Sequence, residues 1–230
     1  MRYPDVTAAV FLQRPNRFIA HCLVEGQPVI AHVPNTGRCR ELLIPGCTVY
    51  LSRSQNPRRK TPYTLICVEK GNLLINMDSQ APNRVTEEAL KSGVLQLTRQ
   101  PALAVKREVF FGESRLDFMV EAPEERAFVE VKGVTLEENG EVRFPDAPTL
   151  RGLRHMEELE KAVEQGYTAH VLFVVQMARA DYFRSNDATQ PQFGQMLRHI
   201  AKSGVGMSAY LCSTSPDELS LSTPIPIRLN

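Results

Sequence analysis

At 230 residues, with 43% apolar and 23% charged side chains, the chain can bury one large core or two modest ones, and nothing in its balance suggests disorder. No apolar run approaches the length of a membrane span, and the start Met1-Arg2-Tyr3-Pro4-Asp5 lacks the layout of a signal peptide, so the expected compartment is the cytoplasm. The net charge of +1 hides an asymmetry: residues 1–84 hold 11 Lys/Arg against 5 Asp/Glu, and residues 85–230 hold 16 against 21, a layout suited to holding a polyanion with one part and cations with the other.

The first third reads as short strands at 6–12, 17–24, 28–33, 48–53, 61–68 and 73–76, punctuated by Gly26, Pro34, Gly37, Pro45, Gly46, Pro57 and Gly71. A small closed barrel of the OB type removes the edges of such strands, with an SH3-like barrel as the rival. The five cysteines, Cys22, Cys39, Cys47, Cys67 and Cys212, are odd in number and form no C-x-x-C pair. They are expected to be reduced and structural. Cys39, near Arg38 and Arg40, is read as a bystander rather than an activated thiol.

Near residue 84 the period changes, dividing the chain into an OB-like domain over 1–84 and a second domain over 85–230. Thr86 is placed as the cap of a helix with apolar positions Ala89, Leu90, Val94 and Leu97. Strands follow at 104–110, 115–121 and 127–133, then a helix capped by Thr149 and ended by Gly166, and a strand at 169–176. A helix near 193–202 and a strand at 206–212 complete an α+β chain. The strand-like Gly206-Met207-Ser208-Ala209-Tyr210 argues against a helix-turn-helix there.

One hairpin carries chemistry. Metal-assisted phosphodiester cleavage needs oxygen ligands for Mg²⁺ or Mn²⁺ and a group to polarise water or stabilise the phosphate. If Ala122-Pro123-Glu124-Glu125 forms the connection, Glu121 faces Arg126 and Asp117 faces Glu130. Alternation puts Lys132 beside Glu130, with Val129 and Val131 turned to the core. A surface hairpin with salt-bridged charges is the competing reading. Against it stand the apolar neighbours of Glu130, because two carboxylates in a buried strand are costly without a cation.

The second part resembles the PD-(D/E)XK nuclease superfamily, with Asp117 in the place of the motif's Asp and Glu130-Val131-Lys132 matching E-x-K. The whole chain is similar to the sugar fermentation stimulation protein A family through His32-Val33-Pro34-Asn35-Thr36-Gly37, Ser114-Arg115-Leu116-Asp117-Phe118, Glu130-Val131-Lys132-Gly133-Val134-Thr135-Leu136, Phe144-Pro145-Asp146-Ala147, and Arg151-Gly152 followed by His155. The resemblance implies an N-terminal OB-fold, a PD-(D/E)XK nuclease-like domain, and binding of DNA, single-stranded or structured, without marked sequence preference. It also implies that Asp117, Glu130 and the Val131 carbonyl ligate the metal while Lys132 orients water and stabilises phosphate charge. Glu108 is a candidate further acid, or the partner of Lys106 or Arg107. Asp146, Arg151 and His155 are candidate neighbours of the site, Arg151 as a phosphate holder and His155 equally as a packed helix residue.

For DNA contact, Arg53, Arg58, Arg59 and Lys60 crowd one loop, Asn35 and Arg38 flank the Gly37 turn, and Arg115 precedes Asp117. Tyr50 and Tyr63, beside that loop, are base-stacking candidates or ordinary strand residues. Signatures of P-loop, serine-hydrolase and zinc-protease chemistry are missing. Two functions compete: a metal-dependent DNA nuclease, and a non-catalytic DNA-binding regulator of sugar metabolism genes that keeps a nuclease fold for binding.

Overall fold

Alternating apolar residues fold the first part: β1 (Val6–Asn16), β2 (Ile19–Val24), β3 (Gln27–His32), β4 (Thr48–Arg53), β5 (Tyr63–Lys70) and β6 (Leu73–Asn76). The computed structural model describes residues 1–230 except Thr36, Arg38, Pro57 and Asn230. Phe11, Ala20, Cys22, Ala31, Val49, Leu51 and Leu65 point inward and are buried, whereas Val10, Leu12 and Ile30 point out. The strands pair in the order β3-β2-β1-β4-β5, and β5 closes back on β3 through Ala31↔Tyr63 and His32↔Thr64. The result is the five-stranded OB-type barrel, with β6 hairpinned onto β5.

Next comes α1 (Ala81–Ser92), which starts earlier than the sequence pattern indicates. Pro82 sits in its first turn, where a missing N–H costs nothing. Thr86 is therefore a buried interior residue and not the cap, and the helix ends at Gly93, whose φ of 75° supplies the left-handed cap. Val94 and Leu97 lie beyond it.

The remaining elements are β7 (Ala104–Phe111), β8 (Ser114–Ala122), β9 (Glu125–Val134), β10 (Leu136–Glu138), β11 (Glu141–Phe144), α2 (Leu150–Glu164), β12 (Thr168–Val175), β13 (Tyr182–Ser185), α3 (Pro191–Lys202), β14 (Gly206–Thr214), β15 (Leu219–Ile225) and β16 (Ile227–Arg228). Six of them form a mixed sheet in the order β15-β14-β12-β9-β8-β7, parallel across β9, β12 and β14. On one face, Ala81, Val85, Ala89 and Leu90 of α1 pack against Phe118, Val129, Val131 and Val174. On the other, α2 and α3 bury Met156, Leu159, Phe193 and Leu197 against Phe128, Val171 and Phe173 in a core continuous with the barrel interior. Each such side chain contributes about 1.5–3 kcal/mol of transfer free energy. Four short strands, β10-β11-β13-β16, form a separate small sheet that the sequence pattern did not mark.

Barrel and mixed sheet are stitched together. Gln176, just past β12, donates its side-chain amide to Asn76 O at 3.0 Å and Asp78 O at 3.1 Å, and Asn76 N–H donates to Gln176 O at 2.9 Å. Lys70 of β5 meets Glu137 of β10 at 2.6 Å. Residues 1–3 run along the second unit, with Tyr3 N–H donating to Asp217 O at 2.8 Å. Among the described residues no helix is long and apolar enough to cross a membrane.

Candidate metal centre and nucleic-acid surfaces

The β8–β9 ladder has the register expected from the sequence, Glu121↔Arg126 and Phe118↔Val129. Its turn is tighter than four residues, since Ala122 pairs with Glu125 and Glu124 takes a φ of 61°. Shortening the loop by one residue on each side leaves the register unchanged. The next position places Asp117 in register with Glu130. There the ladder stops, and the Asp117 side chain reaches across: Oδ2 accepts the Val131 N–H at 2.8 Å, and Oδ1 accepts from Asn83 Nδ2 of α1, also at 2.8 Å. In an extended strand the N–H and C=O of one residue leave on the same side. The Val131 carbonyl therefore turns to the edge where Asp117 sits.

Glu130 projects from β9 away from the side of Val129 and Val131, toward His155 of α2, and is only 2% exposed. Its Oε1 accepts from Lys132 Nζ at 2.6 Å and from His155 Nδ1. On the far side of the imidazole, Arg151 Nε donates to His155 Nε2 at 3.2 Å. With Nε2 accepting, Nδ1 carries the proton, so the chain of donors runs Arg151, His155, Glu130. The second carboxylate oxygen, Glu130 Oε2, is buried and has no hydrogen-bond partner.

The two carboxylates titrate in opposite directions. Burial, followed by the negative charge of Glu130, raises Asp117 above the usual carboxylate range, against the bonds from Val131 and Asn83 and the charge of Lys132. Burial also pushes Glu130 upward, but Lys132 and His155 outweigh it and hold the group below its ordinary value. A divalent cation would relieve both an unpartnered buried oxygen and a carboxylate burdened by its neighbour's charge. The donors are carboxylate and carbonyl oxygens, the set preferred by Mg²⁺, Mn²⁺ and Ca²⁺. No cage of three or more His, Cys, Asp or Glu side chains occurs among the described residues, so the fit rests on two carboxylates and a backbone carbonyl.

The other candidates separate into near and far. His155 and Arg151 join Glu130, although the sequence left His155 equally open as a packing residue. Glu108 falls between the pairs Arg107↔Phe118 and Val109↔Leu116 with a left-handed φ of 53°, and its exposed carboxylate pairs with Arg115 at 2.8 Å. The pairings with Lys106 and Arg107 do not form: Lys106 meets Glu121 and Arg107 meets Glu87. Asp146 lies against the barrel, where a Cβ on Gly37 would overlap its Oδ2. Gly37 is thus required for close approach, and its N–H is taken by Asn35 Oδ1 at 2.8 Å rather than offered to a phosphate. Arg38 lies outside the described residues.

Arg14, which sequence reasoning passed over, clamps that turn by donating to Gly37 O at 2.8 Å and Asn35 O at 2.6 Å. No local pattern signals a contact spanning more than twenty residues. Arg53 at the end of β4 and Arg58, Arg59 and Lys60 on the β4–β5 loop are exposed, and Arg58 N–H donates to Asn56 Oδ1 at 3.0 Å in an Asx turn. Tyr50 donates to Glu69 at 2.7 Å, which ties its hydroxyl to the strand surface. Cys39 is buried and its thiol is pushed up to about 12 by burial, so the basic residues around it do not activate it.

Residues 12–77 match the SfsA N-terminal OB domain, and residues 80–218 match the sugar fermentation stimulation protein RE domain. The chain belongs to the sugar fermentation stimulation protein family. Curated SfsA homologs include one from Desulfitobacterium hafniense, 48% identical over 229 residues that span 100% of this chain and 99% of the relative. Another, from Ruminiclostridium cellulolyticum, is 45% identical over the full length of both chains. Among solved structures, Pyrococcus furiosus SfsA in complex with Ca²⁺ is similar, with a TM-score of 0.88, 26% identity, and 99% of this chain and 98% of that one covered.

Proposed function

We propose that this SfsA family member binds DNA with little sequence preference and hydrolyses its phosphodiester bonds at a divalent-metal site formed by Asp117, Glu130 and the Val131 carbonyl. The observation that carries this reading is the buried, unpartnered Glu130 Oε2, one residue past the Phe118↔Val129 pair and close enough for the Glu130 charge to raise the Asp117 carboxyl. The P. furiosus relative solved with Ca²⁺ supports a hard cation in the family. When bound, Mg²⁺ or Mn²⁺ would supply Lewis-acid polarisation of the phosphoryl oxygens and a more acidic water.

The chain's own residues do the rest. Lys132 Nζ, 2.6 Å from Glu130, is within one hydrogen bond of the site and can shift its donor to the attacking water or to a phosphate oxygen. His155 fixes the Glu130 rotamer through its Nδ1–H, and Arg151, exposed at the start of α2, can hold a neighbouring phosphate. Asn83 orients Asp117.

The test pairs calorimetric titration of Mn²⁺ into wild type and Asp117→Ala with cleavage of labelled single-stranded and duplex DNA in Mg²⁺ or Mn²⁺. Asp117-dependent metal binding, with cleavage abolished in Asp117→Ala and Lys132→Ala while DNA binding persists, is the expected result. Retained DNA binding without cleavage of any substrate by wild type would favour the non-catalytic regulator, a reading consistent with Lys132 already neutralising Glu130.

A further inference from the structure

A cavity of about 610 Å³ lies between the barrel and the approach to α2, lined by Arg14, Arg17 and Arg40 together with Gln13, Asn16 and Ala147. Among the described residues no carboxylate lines its wall. Arg17 and Arg40 are exposed and make no ion pair with a carboxylate among the described residues. Arg14 is held in place by the Arg17, Asn35 and Gly37 carbonyls. The contrast is a larger cavity of about 830 Å³ at the other end of the mixed sheet, where Arg99 and Arg126 share the wall with Glu121, Glu124 and Glu125. There carboxylates face the arginines, whereas Arg17 and Arg40 have no such partner among the described residues.

The basic cavity adjoins a second one at the end of β9. Gly37 lines it and also lines a smaller cavity of about 220 Å³ whose wall includes Asp146, Thr135 and Gly133, the residue after Lys132. Ala147 lies two residues before Thr149, the N-cap of α2, whose first turn carries Arg151 and no acidic residue. Apolar surface accompanies the arginines: Pro15 and Pro45 line the cavity, and Phe18 is 53% exposed with the Arg17 guanidinium 6.0 Å from its ring centre. Arginines for phosphates beside open apolar surface for unstacked bases suit a single strand, because a duplex hides its base faces and presents mainly backbone.

We infer that this cleft is a binding site for single-stranded nucleic acid, with phosphates on Arg17 and Arg40 and the strand running past Gly37 toward Asp117 and Glu130. The inference rests on the reading that the protein handles nucleic acid and is independent of whether it cleaves it. These arginines lie outside the β4–β5 loop that sequence composition marks as basic.

Fluorescence anisotropy with a labelled single-stranded oligonucleotide and the matching duplex, in chelator so that no cleavage intervenes, tests the site. Wild type is compared with Arg17→Glu/Arg40→Glu and with a control of equal charge change, Arg99→Glu/Arg126→Glu, after circular dichroism confirms that all three are folded. The cleft variant should lose single-strand affinity roughly tenfold or more and flatten the log–log salt slope by about 1.4, for two phosphate contacts on a single strand. The control should change neither, and wild type should bind the duplex more weakly. Equal losses in cleft and control variants, preference for the duplex, or no single-strand binding by wild type would each overturn the site. If the strand is bound through these arginines yet stays intact when Mn²⁺ is added, the nuclease reading fails and the cleft stands. Cleavage unchanged in the cleft variant would sink the cleft alone.

Discussion

Asn83 Nδ2 lies 2.8 Å from Asp117 Oδ1, so the first turn of α1 holds the carboxylate that ends the β8–β9 ladder. With the Val131 N–H on the other oxygen, Asp117 bridges a helix and a strand edge.

Asp117→Asn should stabilise the protein at neutral pH. The folded protein raises this carboxyl above its unfolded value, so the native state binds more protons in that window and stability falls as pH rises through it. An amide removes the buried charge. Its oxygen can take the Val131 N–H while a flipped Asn83 presents its own oxygen to the new NH₂. A gain of about 1 kcal/mol, or roughly 2–4 °C in Tm, is expected by thermal unfolding in chelator, accompanied by loss of metal binding.

Lys132→Ala should act in the opposite sense. Glu130 is buried and held below its ordinary value, so its contribution to stability is present above the unfolded carboxylate range and disappears as pH falls through the folded value. Removing the ammonium leaves a buried charge with His155 alone. Urea unfolding at neutral pH should show a loss of about 3 kcal/mol, with much of it recovered in Lys132→Ala/Glu130→Gln.

Gly37→Ala tests the contact between the barrel and the residues leading into α2. A Cβ there would overlap Asp146 Oδ2 and lie 3.0 Å from Asn35 Oδ1, so the turn must retreat. A cost of about 1–3 kcal/mol is expected, reduced in Gly37→Ala/Asp146→Ala because the two changes share one contact. Chemical denaturation of both variants reads the coupling.

His170, half-buried on β12 with Nε2 2.8 Å from Ser208 Oγ, is lowered to about 4 by desolvation of its ring. A histidine depressed in the folded state stabilises above its unfolded value near 6.5, and that stabilisation is lost as pH falls toward about 4. His170→Gln should flatten the stability profile between those limits in unfolding measured across pH.

Much of this architecture was legible in the sequence because the side chains alternate with the period of the strands. The hairpin register followed from Glu121 and Arg126 even with the loop drawn too long, since register depends on the centre of the turn and not on its length. The start of α1 is hidden in the sequence because Pro82, which reads as a turn residue, sits in the first turn of the helix. The short β10, β11, β13 and β16 strands carry too little periodicity to stand out. At the site, Glu130 and Lys132 follow from an i, i+2 relation along one strand, whereas Asn83, Arg14 and Gln176 act across distant segments that no local pattern connects.

Whether a cation joins Asp117 to Glu130 decides the chemistry of the site. Crystals soaked in Mn²⁺ and measured at a wavelength where manganese scatters anomalously give the direct answer. The expected result is a peak bounded by an Asp117 oxygen, Glu130 Oε2 and the Val131 carbonyl, each about 2.0–2.6 Å from the ion. A soaked crystal with Mn²⁺ bound elsewhere, and Lys132 still closed on Glu130 with no peak beside it, would contradict it.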